Sequence, residues 1–181
     1  MKIICISGKA RHGKDITATF LSEALEKRGY NVLVTHYGDL VKYVCRTFFK
    51  WDGEKNEAGR TLLQYVGTDV IRKQNPDFWV NFVRDILRFF PNEWDYVLIP
   101  DCRFPNEVDV LKDTFEDVIH VRVYRPDCES PLTPEQQAHI SETALDDTIP
   151  DYLIYNTGTL EDHEYRMELL ADELILKVWG D

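Results

Sequence analysis

Gly8, Gly13 and Lys14 stand in the pattern Gly-x-x-x-x-Gly-Lys, and the apolar run Ile3-Ile4-Cys5-Ile6 leads straight into it. This spacing suits phosphate binding. Glycines let the backbone turn tightly and aim several N–H groups at one point, and a lysine after them adds a charge that can follow a polyphosphate. Gly8, Lys9, Ala10, Arg11, His12, Gly13, Lys14, Asp15 and Ile16 are therefore the candidate anion contacts. The plainer alternative is an ordinary glycine turn where a strand meets a helix. One position departs from the usual pattern, because Asp15 stands where Ser or Thr commonly follows Gly-Lys.

A carboxylate beside a polyphosphate is repelled by about 4 kcal/mol per unit-charge pair at 4 Å and an effective dielectric of 20. A Mg²⁺ between them reverses the sign. Asp15 is thus expected to approach a metal, directly or through water, or else to act as a helix-terminal charge. Asp101 follows the apolar Val97-Leu98-Ile99-Pro100. A carboxylate at such a strand end can hold Mg²⁺, or it can cap the helix expected after it. Arg103 could clamp a phosphate. Arg125, at the carboxyl end of an expected strand, is better placed for the same task than Arg122. Lys42, Arg60, Arg72 and Lys73 are grouped in the middle of the chain. Bringing two phosphate chains together needs several such cations, although each alone also reads as a solvated charge. Tyr65 and Trp79 could stack on a base or belong to the core. His12 and His139 are read as nonessential, since transfer to an ionised phosphate needs no strong base.

The elements that position these residues alternate. Apolar runs predict strands at 2–7, 32–36, 96–99, 118–124 and 152–155. Helices are expected at 14–28, at 40–49, in two or three pieces within 60–90 broken near Gly67 and Pro76, at 104–115, and at about 160–178. The first should bury Ile16, Phe20, Ala24 and Leu25. The helix at 104–115 should bury Phe104, Val108, Leu111 and Phe115, and the last Met167, Leu170, Ala171, Leu174 and Val178. Thr133-Pro134-Glu135-Gln136 is a capping box. The alternation predicts an α/β fold, a five-stranded parallel sheet with helices on both faces and right-handed crossovers. Ligands should lie beyond the carboxyl ends of the strands. The segments 37–91 and 126–150 interrupt the alternation and are expected to be mobile.

With 181 residues, one domain is expected. A net charge of -11 argues against a long nucleic acid as partner but permits a small phosphorylated one in a local basic cleft. The four cysteines make no Cys-x-x-Cys pair. Together with the lack of a signal peptide or a long apolar run, they lead to the expectation of a cytoplasmic protein without a membrane partner.

These pieces together resemble the phage-type deoxynucleoside monophosphate kinases, within the wider phosphate-loop nucleoside monophosphate kinase group. The resemblance rests on Ser7–Asp15, on Arg60-Thr61-Leu62-Leu63-Gln64-Tyr65-Val66-Gly67-Thr68-Asp69 with Arg72 and Pro76-Asp77-Phe78-Trp79, and on Asp101-Cys102-Arg103-Phe104-Pro105-Asn106-Glu107. His139-Ile140-Ser141-Glu142 and Asn156-Thr157-Gly158 look like the family's late motifs. Ile16 departs from the Thr that many relatives carry. The resemblance implies ATP as phosphoryl donor, Mg²⁺ near Asp15 and Asp101, and small nucleotides as substrates of a monomer or homodimer. Residues 37–91 would hold the acceptor, with Asp39, Lys42, Arg60, Gln64, Thr68, Arg72, Trp79, Arg103 and Glu107 as contacts. Residues 126–150 would be a lid, Asn156 and Gly158 would lie near the adenine, Lys14 and the loop amides would grip the donor phosphates, and Arg125, with Arg103 or Arg72, would stabilise the transferring group. A kinase for another acceptor, such as dephospho-coenzyme A or phosphomevalonate, and a nucleotide-binding protein without turnover are the alternatives.

Overall fold

Strand β1 (Lys2–Ser7) is buried along its whole length, as a near-continuous apolar run at the centre of a parallel sheet must be. In the computed structural model, which describes residues 1–176, β1 lies between β3 (Tyr96–Ile99) and β4 (Val118–Tyr124). β2 (Val32–Val34) and β5 (Tyr152–Tyr155) form the edges. The order is β2-β3-β1-β4-β5, and every pair is parallel. Successive side chains of β1 go to opposite faces. Ile3 and Cys5 enter a core with Trp79, Val83, Val97 and Leu111, and Ile4 and Ile6 enter another with Leu21, Leu25, Met167 and Leu174. Helices α1 (Lys14–Lys27) and α8 (Leu160–Leu176) thereby cover one face, and α4 (Phe78–Phe89) and α5 (Pro105–Lys112) the other.

The chain leaves β1 toward β2 and leaves β3 toward β4, on the other side of β1. The connections diverge between β1 and β3, which opens a crevice at their carboxyl ends. Residues 8–13 and Asp101–Arg103 flank it.

The middle of the chain departs from expectation in three ways. β2 stops at Val34, and α2 (Tyr37–Phe49) starts three residues earlier than the pattern suggested, in spite of Gly38. The cause is distant in sequence. The Asp101 carboxylate accepts from the N–H groups of Tyr37 (3.0 Å) and Gly38 (2.7 Å) and so caps α2. Second, Gly67 breaks nothing. α3 (Glu57–Gln64) runs on into a π-helical stretch, Tyr65–Arg72. Gly67 is there for close approach: an added Cβ would stand 3.2 Å from Val41 Cγ1. Third, the helix after Asp101 caps itself. The Glu107 carboxylate accepts from the N–H groups of Phe104 (3.0 Å) and Arg103 (2.6 Å), so Asp101 is not its cap. The capping box at Thr133 opens α6 (Pro134–Ala138), which is followed by α7 (Ile140–Thr143). The last helix buries Met167, Leu170, Ala171 and Leu174 as expected, and Val178 lies outside the described residues.

Beneath the start of the loop, Ser7 Oγ and His120 Nε2 are 2.7 Å apart, and both residues are buried. The N–H of His120 donates to Asp151 (2.7 Å). Burial, helped by the positive charge of Arg122, pushes the His120 imidazole down to about 4. In the unfolded chain a histidine titrates near 6.5. Between these pH values the unfolded chain takes up a proton that the folded one refuses. The stability contribution is therefore complete above about pH 6.5 and is lost as pH falls toward 4. The loss amounts to about 2 kcal/mol between pH 7 and pH 5. Urea unfolding of His120→Gln should show a shallower decline over that range than the parent chain; parallel declines would contradict the assignment.

Candidate functional site

Residues 8–13 curl rather than extend. Gly8 (φ 150°), Arg11 (φ 62°) and Gly13 (φ 98°) all have positive φ. At Gly8 a Cβ would stand 2.5 Å from the Val123 carbonyl oxygen, and at Gly13 it would collide with the Asn156 amide. Arg11 has no glycine's freedom and holds its conformation at a cost of about 1–2 kcal/mol. Strain of this kind collects at functional sites. Three contacts over-determine the loop. Asn156 Nδ2 donates to the His12 carbonyl (2.9 Å), the buried His12 ring sits against the end of β4, and Lys14 Nζ donates to the carbonyls of Gly8 (2.8 Å) and Lys9 (2.9 Å). Burial lowers the pKa of His12 and keeps it neutral at pH 7, which suits a clamp. Burial also lowers Lys14, with Arg103 adding to the effect, to about 8.

Asp15 lies in the first turn of α1 with its side chain 85% exposed. Its pKa is lowered, first by a hydrogen bond from His36 and then by Lys14, so it is ionised near neutral pH. Asp101 uses both oxygens on α2, yet each keeps a lone pair for a further partner. Two oxygen donors of this kind, both near Lys14, suit Mg²⁺. Sequence reasoning missed His36. It occupies the residue before α2, whose first N–H groups are capped by Asp101, and stands 3.6 Å from both Asp15 and Asp39. Its pKa is raised, first by Asp15, with Asp101 and Asp39 adding charge. Its place at a strand end was the only available signal.

Segment 139–146 packs over the start of the loop. Arg103 pairs with Glu142, and Lys9 with Asp146 (2.5 Å) and the Glu142 carbonyl. Arg122 donates to the carbonyls of Leu145 and Asp146. These contacts close a cavity of about 250 Å³ lined by Gly8, Lys9, Arg103, Arg122 and Glu142. A second, more open cavity of about 480 Å³ lies beside Arg11, Lys14, Asp15, Arg125 and Cys128. Arg125 thus faces the loop from the far side. Gly158 (φ 82°) turns the chain after Asn156, which touches the loop directly.

The expected acceptor residues divide. Asp39 and Lys42 pair with each other at 2.7 Å on the first turns of α2. Arg60, Gln64 and Thr68 are half-buried along α3 and the π-helical stretch. Trp79 corrects the expectation: it is 2% exposed and donates its indole N–H to the Gly67 carbonyl (2.9 Å), which makes it a core residue with no ring face open to a base. Arg72 and Glu107 are buried against each other. Arg72 also stacks 3.9 Å over Phe104 and donates to the Pro76 carbonyl (3.0 Å). Burial raises the Glu107 pKa against the opposing pull of Arg72.

A family model described as deoxynucleotide monophosphate kinase matches residues 34–167. The chain belongs to the deoxynucleotide monophosphate kinase family. It is 34% identical over 105 residues to the deoxynucleotide monophosphate kinase of Enterobacteria phage T4, and 30% identical over 111 residues to that of Escherichia phage RB69. These stretches cover 57% and 60% of this chain but only 41% and 43% of the phage proteins. The fold is shared more widely. An APS kinase from Mycobacterium tuberculosis, solved with AMPPNP and APS, is similar with a TM-score of 0.53 at 16% identity, over 93% of this chain and 96% of that one. The shikimate kinase of Aquifex aeolicus gives 0.52 at 13% identity, over 99% of each chain. Among the described residues, no helix is long and apolar enough to cross a membrane.

The stretch Asp101–Glu107 does structural work at both ends, capping α2 with Asp101 and holding Arg72 with Glu107. Removing one partner of a buried pair leaves an uncompensated charge. Glu107→Ala should lower unfolding stability by about 3–5 kcal/mol, read as an earlier urea midpoint; a midpoint within error of the parent would show that the pair holds nothing.

Proposed function

We propose that this chain transfers the γ-phosphoryl group of ATP to a deoxynucleoside monophosphate, giving ADP and the diphosphate. The observation that carries this reading is the strained loop closed over Lys14 at the divergence of β1 and β3, in a chain of this family. An acceptor phosphate oxygen bonds to the γ-phosphorus while the bond to the β–γ bridging oxygen breaks. No strong base is required, because the attacking oxygen is already ionised. What is required is position and charge. The loop N–H groups and Lys14 bind the donor phosphates, and Arg103 and Arg125 reach the transferring group from two sides. Asp15 and Asp101 would hold Mg²⁺, which neutralises charge on the donor phosphates. Asp39, Lys42, Arg60, Gln64 and Thr68 form the acceptor face, and Asn156 and Gly158 border the adenine. Residues 126–150 act as the lid, whose closure excludes water. We place the reaction in the cytoplasm, with small nucleotides as the partners.

The test is ADP release with ATP and Mg²⁺ over a panel of ribo- and deoxyribonucleoside monophosphates. Release that depends on a deoxynucleoside monophosphate supports the proposal. Release only with another acceptor, or tight ATP binding without release, would replace it with a different kinase or a binding protein. Lys14→Ala should cut turnover by about 10²–10³-fold with an unchanged unfolding midpoint, and near-parental turnover would remove its central role. The Lys9–Asp146 pair is exposed and holds by no more than about 1 kcal/mol. Asp146→Asn should therefore tighten ATP binding by up to about fivefold in calorimetry, because donor phosphates no longer compete with that carboxylate for Lys9.

A further inference from the structure

Helix α4 is apolar on two sides. One side, with Trp79, Val80, Val83 and Leu87, is buried in the core. Phe78, Phe82, Ile86 and Phe89 recur at i, i+4, i+8 and i+11 and form a second stripe. Their exposure runs from 39% at Ile86 to 76% at Phe89, and Phe90, just past the helix, is exposed as well. A helix that is apolar all round is normally covered all round; within this chain the second stripe is left to water. At about 200 Å² for a phenylalanine side chain, these five residues leave about 500 Å² of apolar surface exposed, near the upper end of the largest patch on a monomer. A standard interface buries about 800 Å² on each partner, and in homodimers about 65% of that is apolar. The stripe supplies that apolar share. None of its residues lines either cavity at the loop.

The stripe also complements itself. Its members are spaced almost symmetrically about the middle of α4. A two-fold axis crossing the helix there sets Phe78 of each copy against Phe89 of the other, and Phe82 against Ile86. Charge fits the same arrangement. Arg84 and Asp85, beside the stripe, already pair with each other at 2.8 Å. Asp77, which accepts from Asn106 at 2.6 Å, and the exposed Arg88 lie at opposite ends of one flank of the helix. The axis brings Asp77 of each copy within about one helical turn of Arg88 of the other. We propose that this chain forms a two-fold homodimer through α4, with the two helices antiparallel and the Phe78–Phe89 stripes in contact. Such a contact uses the same patch on both copies, so it closes at two and builds no filament. It does not depend on the kinase reading.

Sedimentation equilibrium over a dilution series of the full chain measures the dimer directly. At about 10 μM, where interfaces of standard size are associated, the parent should show twice the 21.2 kDa of one chain. Phe82→Glu puts an unpaired charge at the centre of the stripe and should raise the dissociation constant by about 30-fold or more. Phe89→Glu, at the most exposed position, should do the same, with near-UV circular dichroism confirming that each variant is folded. Leu169→Glu, on the exposed side of α8 across the sheet, should stay within about twofold of the parent. Arg88→Asp should weaken the dimer by about fivefold, and Asp77→Arg added to it should restore the affinity. A monomeric parent, including one whose stripe is taken up only by a different protein, would overturn the proposal. So would a dimer that both glutamate variants leave intact, or one that Leu169→Glu dissociates as readily. If the doubly substituted chain is no tighter than Arg88→Asp, the helices do not pair antiparallel in this register and the proposed dimer is wrong.

Discussion

Crowding of positive charge at the carboxyl ends of β1, β3 and β4 is the constraint around which this molecule is organised. Lys9, Lys14, Arg103 and Arg122 approach one another there. Cations so close repel each other, and the lowered pKa of Lys14 records that together with burial. The protein balances them with its own oxygen atoms. Loop carbonyls take Lys14, Glu142 takes Arg103, Asp146 takes Lys9, and the carbonyls of residues 145 and 146 take Arg122. Carboxylates and carbonyls stand opposite the groups that a polyphosphate would engage. The edges of this arrangement are exposed and weak, whereas the Glu142 side chain at its centre is 7% exposed. A segment held in this way can exchange its contacts for those of a ligand at small net cost.

The sheet and its two layers of helices were legible because they depend on local pattern. The continuous apolar run of β1 and the helical spacing along α1 and α8 survive any tertiary context. The loop was legible for the same reason: its glycines are needed for conformations that the backbone alone imposes at residues 8 and 13. Each error in the middle of the chain has a long-range cause. The pattern starts a helix only at residue 40 until Asp101, 63 residues from Gly38, is seen to supply the acceptor that caps an earlier start. Gly67 reads as a stop until Val41 and Trp79 are seen packed against it.

The candidate site divides along the same line. Asp15, Asp101 and Arg103 all lie close enough to act on Lys14, and Arg125 lines a cavity with Lys14 and Asp15, because each belongs to the segment that follows a central strand. Trp79, Arg72 and Glu107 carry the right chemistry for a ligand but are buried, where the tryptophan's N–H, the two terminal nitrogens of the guanidinium and the carboxylate already have partners. Residue type cannot distinguish a tryptophan that stacks on a base from one that caps a π-helical carbonyl. His36 and Asp146 were invisible in the opposite sense, and Glu142 stood out only as part of a late motif with no role of its own. None lies in a periodic pattern, and each acquires meaning only from the charge that faces it.

A net charge of -11 looks unfavourable for the proposed binding of polyanions, but the distribution of that charge resolves the difficulty. Much of the acidic surface is spent in pairs far from the crevice, such as Glu168 and Asp172 on Arg28 and Asp117 on Lys2. Those carboxylates lie on α8 or before β4, away from the strand ends, and screening confines their influence to about a Debye length of 8 Å at physiological ionic strength. Within the crevice the carboxylates are either neutralised by a fixed cation or placed where a divalent metal can join them. Asp101 shows how tightly this is drawn. Its oxygens hold the start of α2 and, in the proposed mechanism, would also offer lone pairs to a metal, so a movement of α2 would be felt at the same group. Fold and chemistry share one side chain there, and replacing it would disturb both.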